Sequence, residues 1–259
     1  MKLLYFPTSH WSRAVHLALI ELGLTVQREI IDITKNATFE PAYLRLNPRG
    51  VVPTLVDGSA VLWDSRTIVR HLDGRIGGGS LWLGCSPEVQ RWIERLHSFP
   101  LMLLSYSVWV LGARGEKSTD ILADKVERAK RYAKLYPSLR DRYLRKASFF
   151  EAFSAEVYNP SHVAEQSRAC GELLDALAVW LENRTWIGGD SFCFADCIAA
   201  SVLSRLCDLE RLDHWYAQPD GVLRTYFERL RRRESYQFVF YDDPLIPEHL
   251  GLRLPEPSE

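Results

Sequence analysis

The first 33 residues change hydrophobic period twice, and that alternation limits the folds open to the chain. Lys2-Leu3-Leu4-Tyr5-Phe6 is a short apolar run closed by Pro7, the pattern of a buried strand that stops at a turn. From Ser12 onward Ala14, Val15, Ala18, Leu19 and Leu22 recur on one helical face, and Gly23 stands where a helix C-terminus takes a left-handed residue. Residues 26–33 return to an apolar, β-branched strand pattern. The order is strand, helix, strand, and a helix between two strands implies parallel pairing.

A hairpin follows. Residues 54–56 and 60–63 are apolar runs flanking Asp57-Gly58, a strong turn pair. Asp64 or Ser65 then caps a helix with Ile68, Val69 and Leu72 on its apolar face, and Gly74 with Gly77-Gly78-Gly79 ends the unit. Residues 1–79 therefore read as an α/β domain of order β-α-β, a connection, β-β-α. Beyond it, 87–113, 120–136, 161–183, 194–208 and 219–233 have helical spacing without strand alternation. The expectation is an all-α domain over 80–259.

Composition narrows the partners. With 259 residues and 47% hydrophobic content, the chain can bury a core without disulfides or a structural metal. Lys and Arg number 32 against 33 Asp and Glu, so no overall field draws it to nucleic acid or an anionic membrane. Five cysteines form no secreted framework, and Pro7, Ser9, His10 and Arg13 interrupt the apolar start before it reaches signal-peptide length, so a cytoplasmic setting is expected. The most apolar run, 99–113, contains Ser105, Tyr106 and Ser107 and falls short of the ~20 residues of a membrane span. Residues 114–146 hold 11 Lys and Arg against five Asp and Glu. They read as a basic, solvated, helix-rich insertion, with an anionic partner site as the alternative.

Four motifs carry the chemistry: Ser9-His10-Trp11-Ser12-Arg13, Asn47-Pro48-Arg49-Gly50-Val51-Val52-Pro53, Trp63-Asp64-Ser65, and 188–196, ending in Cys193-Phe194-Ala195-Asp196. The first domain resembles a thioredoxin-type fold, with Ser9 to Ser12 in the place of the redox Cys-x-x-Cys. With the helical domain behind it, the whole chain resembles the soluble glutathione transferase superfamily.

That resemblance implies glutathione as cosubstrate and assigns roles to residues. A free thiol, pKa about 8.5, is mostly protonated at pH 7, and lowering it by two units takes about 2.7 kcal/mol of differential stabilisation. The Ser9 hydroxyl can donate to the thiolate while the first helix aims free N–H groups at the same spot. Ser12 and Arg13 remain alternatives in the same turn, and either serine can serve as a plain cap. Val52-Pro53 resembles the family's cis pair, which offers the backbone of Val52 to the cysteinyl unit of the tripeptide. Asp64 and Ser65 would hold its γ-glutamyl end. Asp64 is shorter than the Glu many members carry. Arg49, Val52, Pro53, Asp64 and Ser65 form the implied glutathione-binding set.

Trp11, His97, Tyr106 and Trp109 are the candidate second-substrate pocket: the aromatic rings would stack on a hydrophobic electrophile, and His97 or Tyr106 would protonate a leaving group. Cys193 stands where the family's capping box has Ser or Thr, a departure expected to cost about 0.5 to 1 kcal/mol. Cys193, Cys197 and Cys207 read as buried thiols rather than metal ligands. The resemblance further implies a homodimer. The expected activity is attack of the glutathione thiolate on an electrophile, by conjugation or by displacement such as ether cleavage or dehalogenation. A non-catalytic binding or scaffold protein on the same fold is the alternative.

Overall fold

The computed structural model describes residues 1–76, 79–111, 119–216 and 221–246. Its sheet has the order β2-β1-β3-β4, built from β1 (Lys2–Tyr5), β2 (Gln27–Ile30), β3 (Thr54–Asp57) and β4 (Ala60–Leu62). β1 pairs parallel with β2 and antiparallel with β3, and Gly58, at φ +59°, turns β3 into β4. Side-chain alternation gives β1 two interiors. Leu3 and Tyr5 join the core formed with α1 (His10–Glu21) and α3 (Ser65–Ile76), whereas Leu4 and Phe6 pack on Tyr43, Ile31 and Val52. Gly23, at φ +65°, follows α1 as its sequence position suggests.

The connection before β3 is not plain loop. It holds a 3-10 turn, Ala37–Phe39, and α2 (Pro41–Leu46), whose six residues are too few for helical periodicity to show in the sequence. Residues 87–113, read as one helix, are two: α4 (Pro87–His97) and α5 (Leu101–Leu111), with 112–113 outside the described residues. Pro100 explains the break, since it lacks an N–H and disfavours helical geometry in Phe99.

The helical domain continues with α6 (Thr119–Leu135), α7 (Arg140–Val157), α8 (Pro160–Leu181), α9 (Phe194–Asp208), α10 (Asp213–Tyr216), α11 (Val222–Arg231), α12 (Glu234–Gln237) and a π-turn over Phe238–Asp242. α9 is buried almost throughout and packs on α1 and α4, joining the two domains. Its capping box forms with Asp196 accepting from Cys193 N–H at 2.9 Å. The same buried carboxylate accepts from Ile187 N–H at 2.9 Å and Tyr226 O–H at 2.7 Å. The Cys193 thiol sits 3.2 Å from Asp196 Oδ2 as a donor. All five cysteines are free thiols, with Cys193 and Cys197 buried and Cys207 exposed.

Two long-range features frame the site. Asp243 is buried and binds across the fold to the sheet: Tyr5 O–H donates to it at 2.7 Å, Arg28 pairs with it at 2.8 Å, and His16 lies 3.7 Å away. The basic segment also departs from the solvated reading. α6 and α7 pack together and close over the first domain, clustering Val126, Ala129 and Ala147 with Phe39, and Ala133, Leu139 and Tyr143 with Leu44. Their cations reach carbonyls and an amide of that domain: Lys125 to Asn36 Oδ1 at 2.8 Å, Arg142 to Leu44 O at 2.7 Å, and Lys146 to Gly50 O at 2.6 Å. Long basic side chains bury their stems while keeping a polar contact for the head, so net charge alone did not reveal this face. Among the described residues no helix is long and apolar enough to cross a membrane.

Candidate active site

The turn after β1 carries three candidate side chains, which enter different surroundings. Ser9, in extended geometry, is the N-cap of α1, and its Oγ accepts from Ser12 N–H at 3.4 Å. The helix thus begins at His10, not near Ser12. Ser12 is fully buried, and its hydroxyl accepts from Phe6 N–H at 3.3 Å. It points into the fold. Arg13 is also buried, its Nε bonded to Pro7 O at 2.7 Å and its guanidinium over the Phe240 ring. Only Ser9 of the three stays partly exposed at the helix start. Capping occupies a lone pair on its oxygen and leaves the O–H proton to donate elsewhere. The N–H groups of His10 and Trp11 make no hydrogen bond among the described residues, as expected in the first turn of a helix.

The Val52–Pro53 bond is cis. Asn47 anchors the approach to it, donating to Val51 O at 2.7 Å and to Thr54 Oγ1 at 2.9 Å while accepting from Arg49 N–H at 2.9 Å. Tyr43 O–H holds Val51 O from the other side at 2.6 Å. The flanking carbonyl is therefore saturated, whereas the N–H and C=O of Val52 make no hydrogen bond among the described residues. An unpaired donor and acceptor on one residue beside a sheet strand is the arrangement that takes up a strand-like peptide.

Asp64, not Ser65, caps α3, its Oδ1 accepting from the N–H groups of Arg66 and Thr67, each at 3.1 Å. Burial pushes its carboxyl up, but the Thr67 N–H and the Arg66 cation outweigh that and hold it below the usual carboxylate range. Arg66 continues to Glu94 and ties α3 to α4. Ser65 is buried, with its N–H free of partners among the described residues and its Oγ 3.0 Å from His97 Nε2.

His97 stacks on Trp11 at 4.3 Å, and burial, reinforced by Arg66, holds its pKa below the ordinary histidine range. Arg49 also acts on it electrostatically, so its guanidinium belongs to the same neighbourhood. His97 of α4 thus joins Trp11 to Asp64 and Ser65, and Arg49, three residues before Val52, acts on it as well. Tyr106 and Trp109 form a second pair, 5.4 Å apart, with Tyr106 edge-on to Phe153. Trp109 is 43% exposed. No direct ring contact joins this pair to Trp11 and His97 among the described residues. Burial raises the Tyr106 phenol, which keeps it a hydrogen-bond donor at neutral pH.

Sequence reading missed two contributors. Arg205 of α9 donates to Thr8 O at 2.8 Å and lies over Trp109, 5.5 Å from its ring centroid. Lys146 of α7, bound to Gly50 O, supports the backbone two residues before Val52. Neither carries a local signal: each acts across more than ninety residues of sequence. Among the described residues no cluster of His, Cys, Asp or Glu has the makings of a metal site.

Comparison with known proteins agrees with this architecture. Residues 8–75 match the family model for the glutathione S-transferase N-terminal domain, and residues 122–212 the model for the C-terminal domain. The tetrachloro-p-hydroquinone reductive dehalogenase of Sphingobium chlorophenolicum is 27% identical over 240 residues, covering 90% of this chain and 92% of that protein. Glutathione S-transferase TCHQD of Arabidopsis thaliana is 26% identical over 245 residues, covering 92% and 89%. Among solved structures, the β-etherase LigF of Sphingobium sp. strain SYK-6 shares the fold with a TM-score of 0.70 at 18% identity, covering 93% of this chain and 99% of that one.

Proposed function

The chain belongs to the glutathione S-transferase superfamily, and from that premise we propose that Ser9 activates the glutathione thiolate for attack on a hydrophobic electrophile. The tripeptide lies in extended form over 1–79, its cysteinyl unit paired with Val52 and its γ-glutamyl carboxylate at the free Ser65 N–H. Asp64 Oδ2 receives the γ-glutamyl ammonium, since capping occupies only Oδ1. The observation that carries this reading is the unpaired backbone of Val52 before a cis proline, in a domain whose helices starting after Ser9 and Asp64 also leave first-turn N–H groups without partners among the described residues.

Sulfur then forms a bond to carbon while a halide or phenolate departs with the electron pair, and the thiol proton leaves to solvent before attack. The two named curated relatives, one of them a dehalogenase, favour displacement over simple addition for this chain. Residues 80–259 supply Tyr106 and Trp109 as the stacking wall for the electrophile. A homodimer in the cytoplasm is the assembly and setting that fit the family and five free thiols. Titrating the protein with glutathione and following thiolate absorbance near ~240 nm tests the reading. A saturable thiolate signal at pH 7 is expected. Saturable binding without it would favour a scaffold, and sedimentation at the mass of one chain would remove the dimer.

A further inference from the structure

Two consecutive carbonyls behind Ser9 are each held by a guanidinium. Arg13, from α1, takes Pro7 O at 2.7 Å, and Arg205, from α9, takes Thr8 O at 2.8 Å. Neither cation forms an ion pair among the described residues. Asp208, one helical turn from Arg205, is the carboxylate that acts on both, so the buried Arg13 and the half-buried Arg205 share one exposed negative charge. The Nε of Arg205 is buried without a partner. A charged group held with an unmet donor is costly, and its persistence beside a functional turn points to a role for the charge.

We propose that Arg205 is a positioning residue for the thiol site: from the helical domain it pins the Thr8 carbonyl, holds incompletely compensated positive charge behind the Ser9 turn, and so stabilises the bound thiolate. The inference rests on the reading that Ser9 holds the glutathione sulfur. His10, next to Ser9, registers the sign of the local field: burial first, then Arg205, His97 and Arg13, push its pKa down to about 3. The cation over Trp109 links the same charge to the wall where the electrophile stacks. A leaving halide or phenolate develops negative charge in that space, so one guanidinium serves the nucleophile before attack and the leaving group after it.

The charged and titratable groups around Arg205 are His10 and Arg13 of α1 and Asp208 of α9, with His97 of α4 beyond His10 and Tyr236 and Tyr241 beyond Arg13. Burial depresses both histidines, His10 to about 3, and raises the Tyr236 phenol, so neither His10 nor Tyr236 titrates together with the thiol near neutral pH.

The experiment is the pH titration of thiolate absorbance in the full-length protein with bound glutathione. Arg205→Gln should raise the apparent thiol pKa by about 0.5 to 1 unit, and Arg205→Lys, which keeps the charge, by less than half of that. Asp208→Asn, which removes the counter-charge, should shift it the opposite way. An unchanged pKa in Arg205→Gln with glutathione still bound would overturn the proposal. Equal shifts in the Lys and Gln variants would also overturn it, by assigning the effect to turn geometry alone. If Arg205→Gln does not fold, the downward shift in Asp208→Asn decides, and its absence overturns the charge argument. A wild-type protein that binds no glutathione would instead remove the function on which the inference stands.

Discussion

His97 Nε2 lies 3.0 Å from Ser65 Oγ while the same ring stacks at 4.3 Å on Trp11, so one imidazole from α4 touches the first turns of both α1 and α3. The proposed glutathione site is therefore closed partly by the helical domain. Replacing His97 by Ala should weaken glutathione binding about 3- to 10-fold, the effect of losing roughly one hydrogen bond. His97→Gln, which can still reach Ser65, should recover part of that loss. Calorimetric titration with glutathione measures both, and unchanged affinity in His97→Ala would separate the ring from the site.

The two serines of the turn should separate cleanly. Ser9→Ala removes a donor to the sulfur and is expected to raise the bound thiol's pKa by about one unit, lowering activity near pH 7 with little change in glutathione affinity. It also loses a long cap bond, which should cost no more than about 1 kcal/mol of stability. Ser12→Ala should leave the pH–rate profile alone and destabilise the fold by about 1 kcal/mol, because its hydroxyl satisfies buried Phe6 N–H. Comparing pH–rate profiles with urea midpoints tests the pair; a shifted profile in Ser12→Ala alone would reverse the assignment.

Acid should unfold the protein progressively below about pH 6.5, the ordinary histidine value. The His10 pKa is pushed down to about 3 in the fold, so between those limits the unfolded chain binds a proton that the folded chain does not. Stability is then present in full above that window and is lost as pH falls, at up to about 1.4 kcal/mol per pH unit for each such histidine. Burial pushes His16 in the same direction. Urea midpoints between about pH 7.5 and 5 measure the slope, and His10→Gln should flatten it.

Lys146 offers a test of the α6–α7 contact. Its ammonium donates to Gly50 O at 2.6 Å and lies 4.4 Å from the Phe39 ring centroid. A Cβ at Gly50 would approach the ammonium to 2.8 Å, and Gly50 itself is at φ +58°, so this close contact depends on glycine there. Lys146→Met should cost about 1 to 3 kcal/mol and weaken glutathione binding by loosening the backbone before Val52. Unaltered binding in a folded variant would confine Lys146 to stability.

The sequence was most informative where signals were local. The period switch located β1, α1 and β2, and Asp57-Gly58 located the hairpin, because each is decided by residues close together in the chain. α7 escaped that reading, since Tyr143, Lys146 and Ala147 are buried by segments of the first domain rather than by a regular apolar stripe of their own. Pro100 was a visible break signal overridden by the apolar run around it. The choice between Ser9 and Ser12 rests on which residue starts the helix, a matter of one turn's backbone angles that two equivalent capping residues leave open. The partners of Thr8 O and Gly50 O lie 197 and 96 residues away, beyond any motif.

The Asp243 staple carries a consequence for how the protein is made. During synthesis the sheet leaves the ribosome first, with Tyr5 and Arg28 already in place, while the carboxylate that satisfies both is added some 200 residues later. Until then the face of the nascent sheet that Tyr5 shares with α1 holds a phenol and a guanidinium without their native acceptor. The early domain can form its backbone but waits for those later residues before Tyr5 and Arg28 reach their acceptor. Final locking of the first domain and placement of the Asp243 segment are thereby one event.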